Sequence, residues 1–199
     1  MVQIKKIEVE QAILDASYLL FKSNGYSGTR MPQIAKAAGM STANIYVYFD
    51  SKLDILIQIY ENWFSVRLSE LRSKVGKAKT PDQALKNLFV GMWKDLPAAD
   101  NGFCGVLIEA LSDRSTQAQY SPKLRKSIDL TLHGILIGCL PNANADLIRS
   151  VVKMLVMAFD GYALNYHLRN GQIASEKEIE TLCKFIIRST NGSTELCEL

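Results

Sequence analysis

The sequence predicts an all-α protein of about nine helices, with an N-terminal three-helix, helix-turn-helix head and a longer helical body. Three observations lead to this prediction. Apolar residues recur at helical spacing in almost every segment, and no alternating strand pattern persists. Residues that stop helices, chiefly Gly, Pro and Asn, fall between those segments. A polar and aromatic stretch, STANIYVYFDSK at 41–52, resembles the second helix of a helix-turn-helix.

The head is predicted to consist of short helices followed by a long one. The first helix should run over 7–24 and end at Asn24-Gly25. The second should end at Ala38, after which the chain turns. The third is the stretch 41–52, interpreted as four helical turns that Ser41 caps. These elements predict a DNA-binding domain over 1–52.

The remaining residues, 53–199, are predicted to form a ligand-binding and dimerisation domain. Its helices are separated by Pro97, by 100–102, by Pro141-Asn142 and by Asn170-Gly171, which are typical helix-breaking sequences. Including the long helix that leaves the head, the predicted helices cover 51–75, 82–96, 103–113, 122–140, 144–169 and 175–190.

Composition limits the possible classes of protein. Of the 199 residues, 48% are hydrophobic and 22% are charged, which is ordinary for a soluble globular chain. The net charge of +3 is too small to require a nucleic-acid partner, because basic surface acts locally. No 18-residue uncharged apolar run occurs, so no membrane partner is expected. The charged N-terminus, MVQIKKIEVEQA, does not resemble a signal peptide, and we expect a cytoplasmic protein.

Cysteine and histidine spacing predicts neither a metal site nor a disulfide framework. The four cysteines are far apart and form no CxxC, which favours a reducing cytoplasm. His133 and His167 lack metal-ligand spacing. No GxSxG, HExxH or Gly-rich phosphate loop occurs, so we expect neither an enzyme nor a cofactor.

Three residues have the spacing that a helix-turn-helix requires. Two short helices that cross steeply need a small residue at their contact, which Ala35 supplies. The turn between them needs positive φ, for which Gly39 is suited. The second helix needs an apolar anchor, which Ile45 provides. An ordinary corner between two helices is the alternative interpretation of this pattern.

The polar residues around that anchor favour DNA binding over the alternative. With Ile45 facing inward, Tyr46 and Tyr48 remain near the exposed side, where their apolar ring surface stays in contact with water unless a partner covers it. Tyr and Thr hydroxyls suit phosphate oxygens, and an Asn such as Asn44 suits a base edge. Thr29, at the start of the preceding helix, can offer its hydroxyl and backbone N–H to a phosphate. The pattern therefore predicts a helix that lies in a major groove.

The segment LFKSNGYSGTRMPQIAKAAGMSTANIYVYFDSKLDIL resembles the DNA-binding head of the TetR family of transcriptional regulators. The resemblance covers about the first 60 residues and includes the Gly-Tyr, Ile-Ala, Ala-Gly-Met-Ser and Tyr-x-Tyr-Phe-x-Ser-Lys elements of the family's pattern. It implies phosphate contacts by Thr29, Tyr46 and Lys52, and groove contacts by Thr42, Asn44 and Tyr48.

The chain departs from the family's pattern at three positions. Ala43 stands where glycine is common, and Tyr48 replaces a frequent histidine. Pro32 removes a polar contact of some members, which Arg30 or Gln33 is expected to replace. The full predicted DNA-binding set is Thr29, Arg30, Gln33, Ser41, Thr42, Ala43, Asn44, Tyr46, Tyr48 and Lys52.

The body is predicted to form a homodimer and to hold a small-molecule inducer. The segment 144–169 is apolar on more than one side, and 175–190 has a continuous apolar stripe. The family resemblance likewise implies that these two helices pair with their copies, whereas a well-buried monomer core is the alternative. Aromatic and apolar residues suggest a pocket, although they equally fit a packed core: Phe89, Met92, Trp93, Phe103, Leu107, His133, Phe159, Tyr162 and Tyr166.

The sequence thus predicts a ligand-responsive DNA-binding transcriptional regulator. The favoured form is a repressor that a small molecule releases from a palindromic double-stranded operator. An activator of the same fold is the first alternative. A helical protein-interaction module without operator binding is the second, and it does not explain the exposed Tyr46, Tyr48 and Lys52.

Overall fold

The computed structural model describes residues 2–100, 103–112, 122–168 and 174–191. Every regular element in these ranges is helical, which confirms the predicted fold class. The predicted breaks at Asn101-Gly102 and Asn170-Gly171 lie outside the described residues. The helices are α1 (Val2–Asn24), α2 (Met31–Ala37), α3 (Thr42–Ile45), α4 (Lys52–Gly76), α5 (Pro81–Val90), a π-helical turn (Gly91–Asp95), α6 (Leu96–Asp100), α7 (Phe103–Ser112), α8 (Lys123–Cys139), α9 (Ala145–Leu168) and α10 (Glu176–Asn191).

The predicted four-turn helix at 41–52 is wrong in length, because α3 contains only Thr42–Ile45. Beyond Ile45 the chain tightens: Val47 N–H donates to Asn44 O at 3.2 Å, and Tyr48 N–H donates to Ile45 O at 2.9 Å. These three-residue bonds are mixed with four-residue bonds from Tyr46 N–H to Thr42 O and from Phe49 N–H to Ile45 O, so the regular α-helix ends at Ile45. The β-branched and aromatic run from Ile45 to Phe49 explains the change, because such side chains lose rotamer freedom in a helix.

The predicted break at Pro97 is also wrong. Pro97 lies inside an unbroken helical run, as the second residue of α6 and directly after the π-helical turn, where Leu96 N–H donates to Gly91 O five residues back. The irregularity lies earlier, in the π-helical turn that follows α5. A Cβ on Gly91 would lie 2.2 Å from Leu71 Cδ1, so the Leu71 side chain on α4 packs directly over the backbone of this turn.

The chain packs as two compact units. The first contains Met1–Phe64 and Gly102–Leu124, and its core includes the fully buried Ile13, Phe21 and Ile34. Residues of α4 belong to both units. The predicted functional division at residue 52 stays a prediction, since a packing unit and a functional domain need not coincide.

The second unit contains Ser65–Asn101 and Arg125–Leu199. Its α5 buries Leu85 and Leu88 completely and packs against α10. Lys86 Nζ on α5 lies 2.9 Å from Glu180 Oε1 on α10, in an exposed ion pair. In the part of the chain that the structure describes, no helix is long and apolar enough to cross a membrane.

Candidate nucleic-acid interface

The turn between α2 and α3 has the geometry that the sequence predicted. Gly39 has φ +70°, a left-handed conformation that favours glycine. Gly39 N–H donates to Lys36 O at 3.2 Å, and Met40 N–H donates to Ala35 O at 2.9 Å. This pair of bonds is a Schellman motif, which ends α2 and fixes the direction of the chain toward α3.

A cap and two buried anchors hold α3 in place. Ser41 Oγ accepts a hydrogen bond from Asn44 N–H at 3.2 Å, which confirms Ser41 as the cap. Ile45 is completely buried, and Phe49 is 3% exposed. Because both anchors face the core, the remaining side chains of this segment surround the opposite face.

That opposite face is polar and aromatic. The tyrosine ring of Tyr46 is exposed, and Thr42 and Tyr48 are half-buried. Val47, which sequence reasoning left out of the predicted set, is 72% exposed between the two tyrosines. Its position in the run is the signal that could have found it, because a valine beside DNA can contact a thymine methyl group. The other predicted residues that are exposed here are Arg30, Gln33, Ser41, Ala43 and Asn44.

Gln33 has a local task as well as an exposed position. Its Oε1 accepts a hydrogen bond from Arg30 N–H at 2.7 Å, where Arg30 is the N-cap residue of α2. This bond satisfies one of the donors that a helix start leaves unpaired. The NH₂ group of the Gln33 amide takes no part in this bond and is suited to a contact with DNA.

The predicted phosphate contact by the Thr29 hydroxyl needs correction. Thr29 is completely buried. Its hydroxyl donates inward, with Oγ1 2.8 Å from Gly25 O and 3.2 Å from Leu20 O. Its N–H donates to Tyr26 O at 3.2 Å. Both donors are used inside the head, so Thr29 shapes the turn before α2 and does not face the solvent.

Lys52, predicted on the exposed side of the segment, is half-buried and directed inward. Its Nζ donates to Tyr26 O at 2.7 Å and to Thr29 O at 2.8 Å. The same ammonium lies 3.9 Å from the centroid of the Tyr26 ring, which is a cation–π distance. The first residue of α4 therefore holds the 26–29 turn that precedes α2.

Glu109 on α7 holds the same turn, and sequence reasoning missed it. Its Oε2 accepts from Tyr26 N–H at 2.8 Å, and its Oε1 accepts from Ser27 N–H at 3.0 Å. The pKa of Glu109 is lowered, first by a hydrogen bond from the Ser27 side chain, then by these backbone N–H groups and by nearby Lys52. No local pattern signals a contact between residues 83 positions apart.

The predicted pocket residues divide between the two units. In the second unit, the ring centroids of Phe89 and Trp93 are 5.0 Å apart, and those of Trp93 and Tyr162 are 6.5 Å apart. Tyr162 Oη also accepts a hydrogen bond from Ala174 N–H. Met92 is buried in the same unit, while the other predicted members there, His133, Phe159 and Tyr166, are half-buried.

Phe103 and Leu107 belong to the first unit. The Phe103 ring lies 5.1 Å from the Tyr18 ring and 5.2 Å from the Tyr60 ring, between centroids. Leu107 is half-buried on the same helix. The arrangement gives Phe103 a packing role in the unit that contains the head.

Metal-binding chemistry has no visible basis among the described residues, where no three His, Cys, Asp or Glu side chains converge. Burial raises the pKa values of the Cys139 and Cys183 thiols to about 11. Both thiols therefore stay protonated at neutral pH and are poor nucleophiles and metal ligands.

Comparisons with known proteins agree with this geometry. Residues 13–59 match the family model of "Bacterial regulatory proteins, tetR family". The chain is 27% identical to the fatty acid metabolism regulator protein of Bacillus subtilis over 62% of this chain and 60% of the relative. It is 33% identical to the transcriptional regulator RutR of Escherichia coli K12 over 48% and 46%. The chain thus spans about half the length of these curated relatives.

A solved structure extends the likeness across the fold. The regulator FadR from Bacillus subtilis, in complex with stearoyl-CoA, superposes with a TM-score of 0.66 at 20% identity. The match covers 90% of this chain and 96% of that one. At this level of identity, the solved structure shows a similar fold and no more. The family-model match, over residues 13–59, contains the α2–α3 turn described above. Residues 13–59 thus match the tetR family of bacterial regulatory proteins, and the chain as a whole resembles solved transcriptional regulators in fold.

Proposed function

We propose that this protein is a homodimeric transcriptional repressor that binds a palindromic double-stranded operator and is released by a small molecule. The observation that carries the proposal is the exposed face of the α3 segment. Ile45 and Phe49 anchor one side in the core, while Tyr46 and Val47 are 53% and 72% exposed on the other. Aromatic and apolar surface of this kind needs a partner, and a major groove admits a helix of this size.

The residues of the head would contribute to DNA binding in different ways. Asn44 is suited to an adenine edge and Val47 to a thymine methyl group, so these two would contribute sequence preference. Arg30 and Tyr46 are exposed and suited to phosphates. Thr29 stabilises the 25–29 turn from the interior of the head. Lys52 also stabilises this turn, in addition to its predicted phosphate contact. Ser41, Thr42, Ala43, Gln33 and Tyr48 complete the face.

Selection of genomic fragments by the purified protein, followed by fluorescence anisotropy, tests the proposal. The region upstream of the protein's own gene is the first candidate. Arg30→Ala should lower the affinity for operator and for random DNA by similar factors. It should also reduce the slope of log affinity against log salt concentration by about two in a dimer, one for each half-site. Lys177→Ala removes the same charge at an exposed position of α10 and is the matched control. Failure of the wild type to select any fragment contradicts the proposed function.

Dimerisation is part of the proposal because a palindrome must be read by two heads. The heads need to reach major grooves about 34–36 Å apart, or a multiple of that distance. Exposed apolar residues on the two predicted interface helices support a dimer: Met154 and Met157 on α9, and Phe185 on α10, are 71%, 69% and 68% exposed.

We take a long-chain acyl-CoA as the first probe of the inducer. The support is the relative named as a fatty acid metabolism regulator and the similar fold solved with stearoyl-CoA. Stearoyl-CoA should weaken operator binding by about 5–150-fold, and operator should weaken stearoyl-CoA binding by the same factor. Free coenzyme A is the control for the acyl chain. An unchanged operator affinity at saturating stearoyl-CoA removes this ligand class.

The Phe89, Trp93 and Tyr162 cluster is the proposed reporter for that ligand. Trp93 is 8% exposed, so a ligand beside it should shift or quench its fluorescence. Trp93→Phe should keep most of the packing volume and reduce the response to stearoyl-CoA, with ligand-free operator affinity near wild type. A fall in melting temperature without a selective loss of response assigns Trp93 to the core. The proposed site of action is the cytoplasm, and the proposed function requires no catalytic residue.

A further inference from the structure

Helix α7 packs with the head, although α7 begins about fifty positions after the head ends in the chain. Its Phe103 ring contacts Tyr18 of α1 and Tyr60 of α4 at centroid distances of 5.1 and 5.2 Å. Val106 and Ala110 on the same helix are buried. The helix is thus attached to the head by an apolar contact near its start, and Glu109 attaches it again near its end.

The contact of Glu109 is specific for the backbone of one turn. Its two carboxylate oxygens each accept one N–H, from Tyr26 at 2.8 Å and from Ser27 at 3.0 Å. A Cβ on Gly25 would lie 2.9 Å from Oε2, and Gly25 has φ +71°. The close approach of the carboxylate therefore needs glycine at this position for reasons of space as well as conformation.

The backbone N–H and C=O groups of Tyr26 bind side chains of opposite charge. Its N–H binds the Glu109 carboxylate, while its C=O binds the Lys52 ammonium at 2.7 Å. Lys52 also binds Thr29 O, one residue before the N-cap residue Arg30 of α2. The start of α2 is consequently defined by a carboxylate from α7 and an ammonium from α4.

We propose that Glu109 is a positioning residue for DNA binding, which holds the 25–29 turn so that α2 and the DNA face start in the correct place. This inference rests on the proposed function. Glu109 itself touches neither DNA nor ligand in this scheme. It acts through the turn, and the position of α7 thereby influences DNA affinity from outside the helix-turn-helix.

Electrostatics and positioning predict opposite effects for one substitution. Glu109→Gln removes a negative charge from a DNA-binding unit, so charge alone should strengthen DNA binding. The same change replaces one acceptor oxygen by an NH₂ group that faces a backbone N–H, so the turn loses a bond and gains a repulsive contact. Positioning therefore predicts weaker operator binding.

The experiment measures operator affinity by anisotropy for the full-length protein, with the fragment that the wild type selects. Glu109→Gln should weaken binding about tenfold, within the usual 5–150-fold range of coupling between sites. Asp15→Asn, an equal change of charge at an exposed position of α1, should leave affinity unchanged or slightly stronger. Glu109→Asp keeps the charge but is one methylene shorter, and its affinity should lie between wild type and Glu109→Gln.

Hydrogen exchange separates positioning from general loss of stability. In Glu109→Gln, the Tyr26 and Ser27 amides should exchange at least about tenfold faster, whereas Gly25 N–H, bonded to Phe21 O at 2.9 Å, should be unaffected. Wild-type operator affinity in Glu109→Gln overturns the inference. Amide exchange that becomes faster by the same factor throughout the unit, rather than at Tyr26 and Ser27, also overturns it. A wild type that selects no fragment instead contradicts the proposed function, so the two failures are distinguishable.

Discussion

At the scale of single residues, Lys52 shows how one side chain can support a binding face from within. Its ammonium bonds two carbonyl oxygens of the 26–29 turn and lies over the Tyr26 ring. A lysine that only contacts phosphate contributes little to stability without DNA, because an exposed charge is well hydrated. A half-buried lysine that binds carbonyl groups contributes to folding as well.

Lys52→Met tests this difference, since methionine keeps much of the aliphatic stem but no charge. We expect a loss of about 1–3 kcal/mol in the free energy of unfolding, from hydrogen bonds to a charged group. For a chain of this size that corresponds to a fall in melting temperature of roughly 2–4 °C per kcal/mol. Lys36→Met, at an exposed position of α2, is the control and should melt like wild type. An unchanged melting temperature with a lower salt slope assigns Lys52 to phosphate alone.

Glu109 gives the head a defined dependence on pH. Its folded-state pKa is lowered by hydrogen bonds from Ser27 and Tyr26 and by nearby Lys52, so folding favours the ionised form. The contribution to stability is present above the unfolded-state pKa of about 4.3 and is lost as pH falls through the folded-state value. The melting temperatures of wild type and Glu109→Gln should therefore differ at pH 7, and the difference should shrink as pH falls below the unfolded-state pKa. A constant difference over that range contradicts the assignment.

At the scale of the elements, the turn between α2 and α3 depends on the backbone of Gly39. No atom lies within 4 Å of a Cβ built on this residue, so alanine there meets no steric contact. Its φ of +70° is nevertheless costly for any residue with a Cβ. The Schellman motif thus needs glycine for conformation alone.

Gly39→Ala should destabilise the protein by about 1–2 kcal/mol and weaken operator binding, because α3 is then held less firmly. Gly76→Ala is the matched control. Gly76 is the last residue of α4, also has no atom within 4 Å of its built Cβ and lacks positive φ. Alanine there should stabilise the helix by up to about 1 kcal/mol. Chemical denaturation measures the free energy of unfolding of both variants. If the two substitutions change it in the same direction, the conformational argument for Gly39 is wrong.

Most elements were predictable because their signals are local. The end of α1 follows from Asn24-Gly25, and the end of α2 follows from Gly39, where glycine adopts positive φ. The length of α3 was not predictable from capping alone, since the aromatic run after Ile45 changes the hydrogen-bond pattern. Pro97 was misinterpreted because the helical run continues through it, directly after a π-helical turn that no residue pattern announces.

The candidate site was predictable only in part, for a related reason. Exposure of Tyr46 follows from the spacing of the buried Ile45 and Phe49, which the sequence displays. The inward direction of Lys52 depends on carbonyl groups of a turn more than twenty positions earlier, and the burial of Thr29 depends on how that turn packs in the fold. The contact of Glu109 with the 25–29 turn depends on how α7 packs, and hydrophobic periodicity does not predict which helices pack together. Contacts made across the fold were therefore missed.

At the scale of the whole molecule, the proposed dimer must cover an apolar surface on two helices. Met154 and Met157 are three residues apart on α9 and therefore share a face. Phe185 on α10 is also exposed, while Ile186 and Ile187 beside it are half-buried. Exposed methionine and phenylalanine side chains in such number are typical of interaction surfaces.

Met157→Glu and Phe185→Glu should convert the dimer into a 22.2 kDa monomer, as measured by light scattering. A charge buried in the interface without a partner is costly, whereas the same charge is hydrated on the free surface, so each monomer should fold. Operator affinity should fall sharply although the head is untouched, because one head reads only one half-site. Leu130→Glu on α8 is the control: Leu130 is 74% exposed but lies outside the proposed interface, and its variant should stay dimeric. A monomeric wild type contradicts the proposed dimer. If Leu130→Glu produces a monomer and the other two substitutions do not, the interface lies on α8 instead.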